Sequence, residues 1–180
     1  MAMTLYTVGH GRLSFDRLVE LLQAVPVAAV VDVRTAPGSR LHPHVNREVL
    51  KQTLPQANIA YRWEPRLGGF RKPRPNSSNE FWENDNFRGY ADYMQTPEFW
   101  LALDELLVQA ATRPTTVMCS ESVWWRCHRR LIADAAVLAR DAQVLHIYHD
   151  GRVEPHRVTA GARQTQTGIA YPAPQTAIWQ

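Results

Sequence analysis

Two rhythms of apolar residues alternate along the chain. Short apolar and β-branched runs lie at 5–8, 28–33, 59–63, 115–118 and 144–148. They read as strands, and the run at 28–33 has the near-continuous hydrophobicity of a strand covered on both faces. Between them apolar residues recur at helical spacing. Leu18, Leu21, Leu22 and Val25 form one stripe, opened by Ser14 as a cap with Asp16 in the first turn and followed by Pro26. Asn46 is the expected cap of a short helix through Leu50 and Leu54 that stops at Pro55. Residues 87–94 read as helix. Thr96-Pro97-Glu98 starts another, whose stripe is Phe99, Leu103, Leu106, Leu107 and Ala110. Leu131, Ala135 and Leu138, flanked by Ile132, Ala136 and Ala139, mark the last helix.

The rhythm fails in two places. From 64 to 86 Gly, Pro, Asn and Arg accumulate, with Arg66, Arg71, Lys72 and Arg74 around Gly68-Gly69. A loop this long is either functional or a solvated excursion. Beyond Arg152 the chain turns polar, with Pro155, Pro172 and Pro174, and an irregular surface tail is expected. Strands alternating with helices predict one Rossmann-like α/β domain over 1–180, a three-layer sandwich on a mostly parallel five-stranded sheet. Right-handed crossovers allow the order 3-2-1-4-5, in which the ends of strands one, two and four converge where ligands bind in such sheets. That convergence would assemble His10 and Arg12, Arg34 and Arg40, and Cys119 and Glu121.

Composition narrows the partners. The 180 residues carry a formal charge of +3, and the pI is near 9.1, which permits a phosphate-bearing partner without demanding one. No apolar run approaches the length that spans a bilayer, so no membrane role is expected. No signal peptide is evident, and two cysteines are not a disulfide framework, so a reducing cytoplasm is the expected location.

The chemistry concentrates in the crossover from Cys119 to Arg130, which holds both cysteines. A thiol near a helix start and beside cations has a lowered pKa. One reading makes Cys119 or Cys127 a nucleophile or redox thiol with His128 or His10 as proton partner; the other makes each a buried apolar residue. A short Gly-containing anion loop, as in cysteine phosphatases and sulfurtransferases, is missing: Glu121, Val123, Trp124 and Trp125 stand between Cys119 and Arg126. The spacing from Cys119 to Cys127 is not a common zinc spacing, and no metal or cofactor is assigned. Glu121 reads equally as a general base or as the partner of Arg34, Arg129 or Arg12. Asp32 reads as structural, an acceptor for backbone N–H or a neighbouring Arg. Arg34, Arg40, Arg126 and Arg129 are candidates for forked contacts to an anion. Trp124 and Trp125 are candidates for base stacking or, for at least one, for packing.

At these residues a resemblance becomes definite. Thr7-Val8-Gly9-His10, Val31-Asp32-Val33-Arg34, Pro37-Gly38-Ser39-Arg40, Leu67-Gly68-Gly69 and Cys119-Ser120-Glu121 with Cys127-His128-Arg129 occur in order. Together they resemble the bacterial and archaeal family catalogued as domain of unknown function 488, from about Thr4 to Gly151 plus His156. The family's usual Cys-Ala-Glu appears here as Cys119-Ser120-Glu121. The resemblance implies an α/β sandwich and points to His10, Arg34, Arg40, Cys119, Glu121, Cys127, His128 and Arg129 as signature positions. It implies no substrate, so function rests on the site. The expectation is an enzyme acting on an anionic ligand, a nucleotide or nucleic-acid component. Its catalytic candidates are Cys119, Glu121, Cys127, His128 and His10; its binding candidates are Arg12, Arg34, Arg40, Arg126, Arg129, Gly68 and Gly69. A non-catalytic nucleic-acid or nucleotide binding module and a thiol redox sensor are the alternatives. Oligomeric state is left open.

Overall fold

The computed structural model describes residues 3–175. In chain order its elements are β1 (Thr4–Gly9), α1 (Phe15–Gln23), β2 (Ala29–Asp32), α2 (Arg47–Gln56), β3 (Ala60–Trp63), α3 (Asp85–Tyr93), α4 (Pro97–Thr112), β4 (Thr115–Cys119), α5 (Arg129–Arg140), β5 (Gln143–Ile147), β6 (Val153–Pro155), β7 (Arg163–Thr165) and β8 (Gly168–Ala170). The main sheet runs β3-β2-β4-β1-β5-β6, with the first five strands parallel and β6 antiparallel to β5.

Alternation along each strand feeds two cores. Val8, Val30 and Met118 point to one face, where Leu18, Leu21 and Leu22 of α1 and Leu50 and Leu54 of α2 cover them. Leu5, Val31 and Val117 point to the other, against Tyr90 of α3, Phe99, Leu103 and Leu106 of α4, and Leu131 and Ile132 of α5. The result is the expected three-layer α/β sandwich. Ser14 and Thr96 cap α1 and α4 through the backbone N–H of Arg17 and Phe99. Asn84 caps α3 two residues before the expected start. Pro55 lies in the last turn of α2, which runs on to Gln56. Asn46 is the N-cap residue of α2, as expected, but its side chain makes no capping bond and accepts from the Ser39 N–H instead.

Two expectations are corrected. The sheet has six strands, not five, and their order is not 3-2-1-4-5, because β4 lies between β2 and β1. Sequential strands often neighbour one another, which favoured placing β2 beside β1. The crossover through α1 instead leaves a one-strand gap, and β4, buried at all five positions, fills it. The segment after Arg152 is also more ordered than its polarity suggests. It adds β6 to the sheet edge, where the missing N–H of Pro155 is tolerated. It then forms the β7–β8 hairpin, whose flank inserts the fully buried Ile169 and Tyr171 into the α3–α5 core.

Candidate thiol pocket at the ends of three parallel strands

The corrected order sets the site. Register places Gly9 beside Cys119 and Asp32 beside Met118, so β1, β4 and β2 end side by side with Cys119 in the middle. Backbone bonds prolong the pairing: His10 N–H to Cys119 O at 2.9 Å, Gly11 N–H to Ser120 O at 3.0 Å and Val33 N–H to Met118 O at 3.0 Å. Position 9 is glycine because a Cβ there would lie 1.7 Å from the Glu121 carbonyl oxygen. A cavity of about 790 Å³ opens above these ends. His10, Arg12, Arg34, Gly69, Cys119, Glu121, Arg126, Cys127 and His128 all line it. Gly68, Arg40 and Arg129 do not. Gly68 packs under Thr35, Arg40 is exposed outside the wall, and Arg129 lies buried behind it.

The two thiols are free and touch: Cys119 Sγ is 2.9 Å from Cys127 Sγ and 3.6 Å from the Glu121 carbonyl. Burial by itself raises the Cys119 thiol. The hydrogen bond from Cys127, the Arg129 charge and the Glu121 backbone outweigh it and bring the group down from 9.0 to about 7. Burial and its neighbour push Cys127 well up. Cys119 is therefore the acidic member and Cys127 the S–H donor. Arg129 is 1% exposed and belongs to no ion pair among the described residues. Its Nη2 donates to the carbonyls of Glu121 and Ser122 at 2.9 and 3.0 Å, while Nε and Nη1 have no partner. A buried guanidinium without a carboxylate is costly unless another anion faces it, and the Cys119 thiolate is the anion this site can supply.

The other signature groups divide into props and free groups. Arg34 is bidentate to Asp32, with Nε to Oδ1 at 2.9 Å and Nη2 to Oδ2 at 2.6 Å, and also donates to Val45 O at 2.7 Å. Tyr61 donates its hydroxyl to Asp32 at 2.6 Å. Asp32 is thus the structural acceptor its strand position implied, and Arg34 is largely neutralised. Arg34 Nη1 lies 3.2 Å from His10 Nε2, and His10 Nδ1 lies 3.0 Å from Gly11 O. A guanidinium only donates and a carbonyl only accepts, so His10 carries its proton on Nδ1 and both ring nitrogens are engaged. Burial and Arg34 lower His10 to about 4. His128 donates Nε2–H to Val33 O at 2.8 Å, and burial lowers it to about 4 as well. Its Nδ1 faces Gly69, where a Cβ would come within 3.1 Å. Among the described residues Glu121 is the one carboxylate on the cavity wall, and it forms none of the ion pairs expected from sequence. Arg12 and Arg126 are exposed and line the wall.

The thiol loop is held from behind by a buried array that the sequence pattern did not reveal. Trp124 stacks on His146 at 4.4 Å and 4° and donates to Tyr148 Oη at 3.0 Å, whereas Trp125 remains 44% exposed. His146 joins Thr7 at 2.6 Å and His156 at 2.9 Å; His156 joins Asp134 at 2.7 Å, which also accepts from Tyr171 at 2.8 Å. The arginines of the basic loop are engaged by neighbouring groups, although Lys72 and Arg74 stay exposed. Arg66 pairs with Glu64, Arg74 donates to Gln95 and lies 3.7 Å from Asp92, and Arg71 sits over Tyr93 at 3.7 Å. Among the described residues no set of three His, Cys, Asp or Glu side chains is placed to hold a metal ion. Among the described residues no helix is long and apolar enough to cross a membrane.

Comparison with known proteins adds the lineage. The family model described as Domain of unknown function DUF488 matches residues 14–136, more than half of the chain. The chain belongs to the DUF488 family. No curated protein and no solved structure matches it. The matched segment of this DUF488 chain carries Arg34, Cys119, Glu121, Cys127 and Arg129; His10 and His156 lie outside it, yet the fold brings both to the same loop. Sequence reasoning missed the pocket residues His42, Phe70 and Asn84, which sit in irregular segments with no periodicity to mark them, and Asn86, in the first turn of α3.

Proposed function

We propose that this DUF488 protein is a thiol-dependent enzyme acting on a small anionic substrate, with Cys119 as the nucleophile. The observation that carries the reading is the Cys119–Cys127 contact at 2.9 Å on the wall of a cavity, backed by the unpaired Arg129. The thiolate sulfur forms a bond to an electrophilic centre of the substrate, and the leaving group departs with its electron pair and takes up a proton from solvent. Water whose proton passes to the Glu121 carboxylate then attacks that centre, and the Cys119–substrate bond breaks to return the thiolate. His10 has both ring nitrogens engaged, and His128 holds Val33 O with Nε2 and faces Gly69 with Nδ1, so Glu121 is the wall group assigned the proton. Arg12 and Arg126 supply the charge that attracts the substrate; Arg34 contributes less because Asp32 balances it. A closely spaced reduced pair suits the cytoplasm.

The pairing of Arg66 with Glu64 and the seating of Arg71 on Tyr93 favour a small molecule over a polynucleotide laid along the loop. A dithiol–disulfide couple is the second reading, supported by the same sulfur contact.

The test compares iodoacetate with iodoacetamide at Cys119 by peptide mass spectrometry. With the cationic wall, iodoacetate gains on iodoacetamide relative to the ratio for free cysteine. Sulfate competes, and Arg12→Ala with Arg126→Ala removes the gain. A ratio equal to that of free cysteine, insensitive to sulfate, overturns the anionic-substrate reading. Loss of two mass units under mild oxidant, absent in Cys127→Ser, would support the couple.

A further inference from the structure

We propose that the ligand of this pocket carries a flat heteroaromatic ring beside its anionic group, as a nucleoside monophosphate does, and that Phe70 is the surface on which the ring stacks. The inference rests on the anion-holding pocket proposed above and names its substrate class.

Phe70 lines the cavity yet is 80% exposed, and it stacks on no other ring among the described residues. Its backbone sits at φ 44°, a left-handed conformation that a bulky side chain rarely adopts. Such an outlier persists only where the surroundings impose it. They do here. Tyr90 and Tyr93 donate their hydroxyls to the carbonyls of Leu67 and Arg66 at 2.9 and 2.6 Å, and Arg71 clamps the loop over Tyr93. Gly68 and Gly69 lie so close to Thr35 and His128 that a Cβ on either would press on them, at 2.7 and 3.1 Å. The loop is fixed on both sides of Phe70, and the ring is left facing the cavity.

The remaining wall suits a heterocycle. Asn84 uses its carbonyl oxygen to cap α3 through the N–H groups of Asn86 and Phe87, which leaves its amide NH₂ for the edge of a base. Asn86 is exposed at the same wall and offers both a donor and an acceptor. Arg12 and Arg126 supply charge for the phosphate, and the cavity of about 790 Å³ lies in the range of small-molecule sites.

The test measures protection of Cys119 from iodoacetamide by AMP, GMP, CMP, UMP, ribose 5-phosphate and inorganic phosphate. At least one nucleotide is expected to protect at a concentration about five- to a hundred-fold below that of ribose 5-phosphate, the advantage that stacking supplies. Phe70→Ala should erase that advantage, leave protection by inorganic phosphate unchanged, and leave the pH midpoint of Cys119 where it was; Phe70→Tyr should restore it. If ribose 5-phosphate protects as well as every nucleotide, or Phe70→Ala leaves the ratio intact, the ring assignment is wrong while the thiol enzyme stands. If neither nucleotides nor phosphate protect an otherwise reactive Cys119, both the ring and the anion assignment fall.

Discussion

Cys127→Ala isolates the interaction that makes Cys119 acidic. The S–H of Cys127 is the largest influence lowering the Cys119 pKa; burial opposes it, and Arg129 assists. With Cys119 at about 7, about half of it is thiolate at neutral pH. Without the donor the thiol is expected to return toward its ordinary 9.0, where the thiolate fraction at neutral pH is about one in a hundred. The more basic thiolate is intrinsically stronger by about six- to tenfold, from a Brønsted slope of roughly 0.4–0.5 over two pH units. The net expectation is a fall of about five- to eightfold in the alkylation rate at neutral pH, with the midpoint of the rate profile moving up by about two units. Iodoacetamide labelling followed by peptide mass spectrometry across pH reads both quantities. A midpoint that stays near neutrality in Cys127→Ala would refute the assignment of donor and acceptor in the pair.

Three further outcomes follow from the same geometry. His10 and His128 sit near 4 in the folded protein against an ordinary 6.5. The unfolded chain therefore binds more protons below about 6.5, so stability is full above that pH and falls as pH drops toward 4, by about 1.4 kcal/mol per unit for each histidine; urea unfolding at several pH values measures it. Asp32→Ala leaves the buried Arg34 without its carboxylate and should cost about 3–5 kcal/mol, whereas Tyr61→Phe, which removes one hydrogen bond to Asp32, should cost about 1 kcal/mol. Gly9→Ala drives a Cβ into the Glu121 carbonyl, so it should lower Tm and blunt Cys119 reactivity together; normal reactivity in a folded Gly9→Ala protein would contradict the tight β1–β4 junction.

Much of the framework was legible because burial on both faces leaves a mark in composition. The five parallel strands and the stripes of α1, α4 and α5 all follow from such runs. Strand order was not legible, since β4 inserts between β1 and β2 through pairings as distant in sequence as Leu5 with Thr115 and Ala29 with Thr115. Its insertion still brought His10, Arg34 and Cys119 to one rim, because all three follow strands that end together. Roles were less legible than places. Asp32 was legible as an acceptor for a neighbouring Arg, but nothing in the sequence showed that both nitrogens of His10 would be engaged or that Glu64 and Tyr93 would hold Arg66 and Arg71. Nor did the polar tail disclose Asp134, His146 and His156 as one buried array, for these partners come from α5, β5 and β6–β7 and meet only in three dimensions.

The most direct test of the account is the thiolate absorbance near 240 nm followed through a pH titration of the reduced, folded protein and of Cys119→Ser. One thiolate is expected to appear with a midpoint of about 7 and to vanish in Cys119→Ser. No thiolate below about pH 8.5, where an ordinary cysteine ionises, or a neutral-pH thiolate that survives Cys119→Ser, would contradict it.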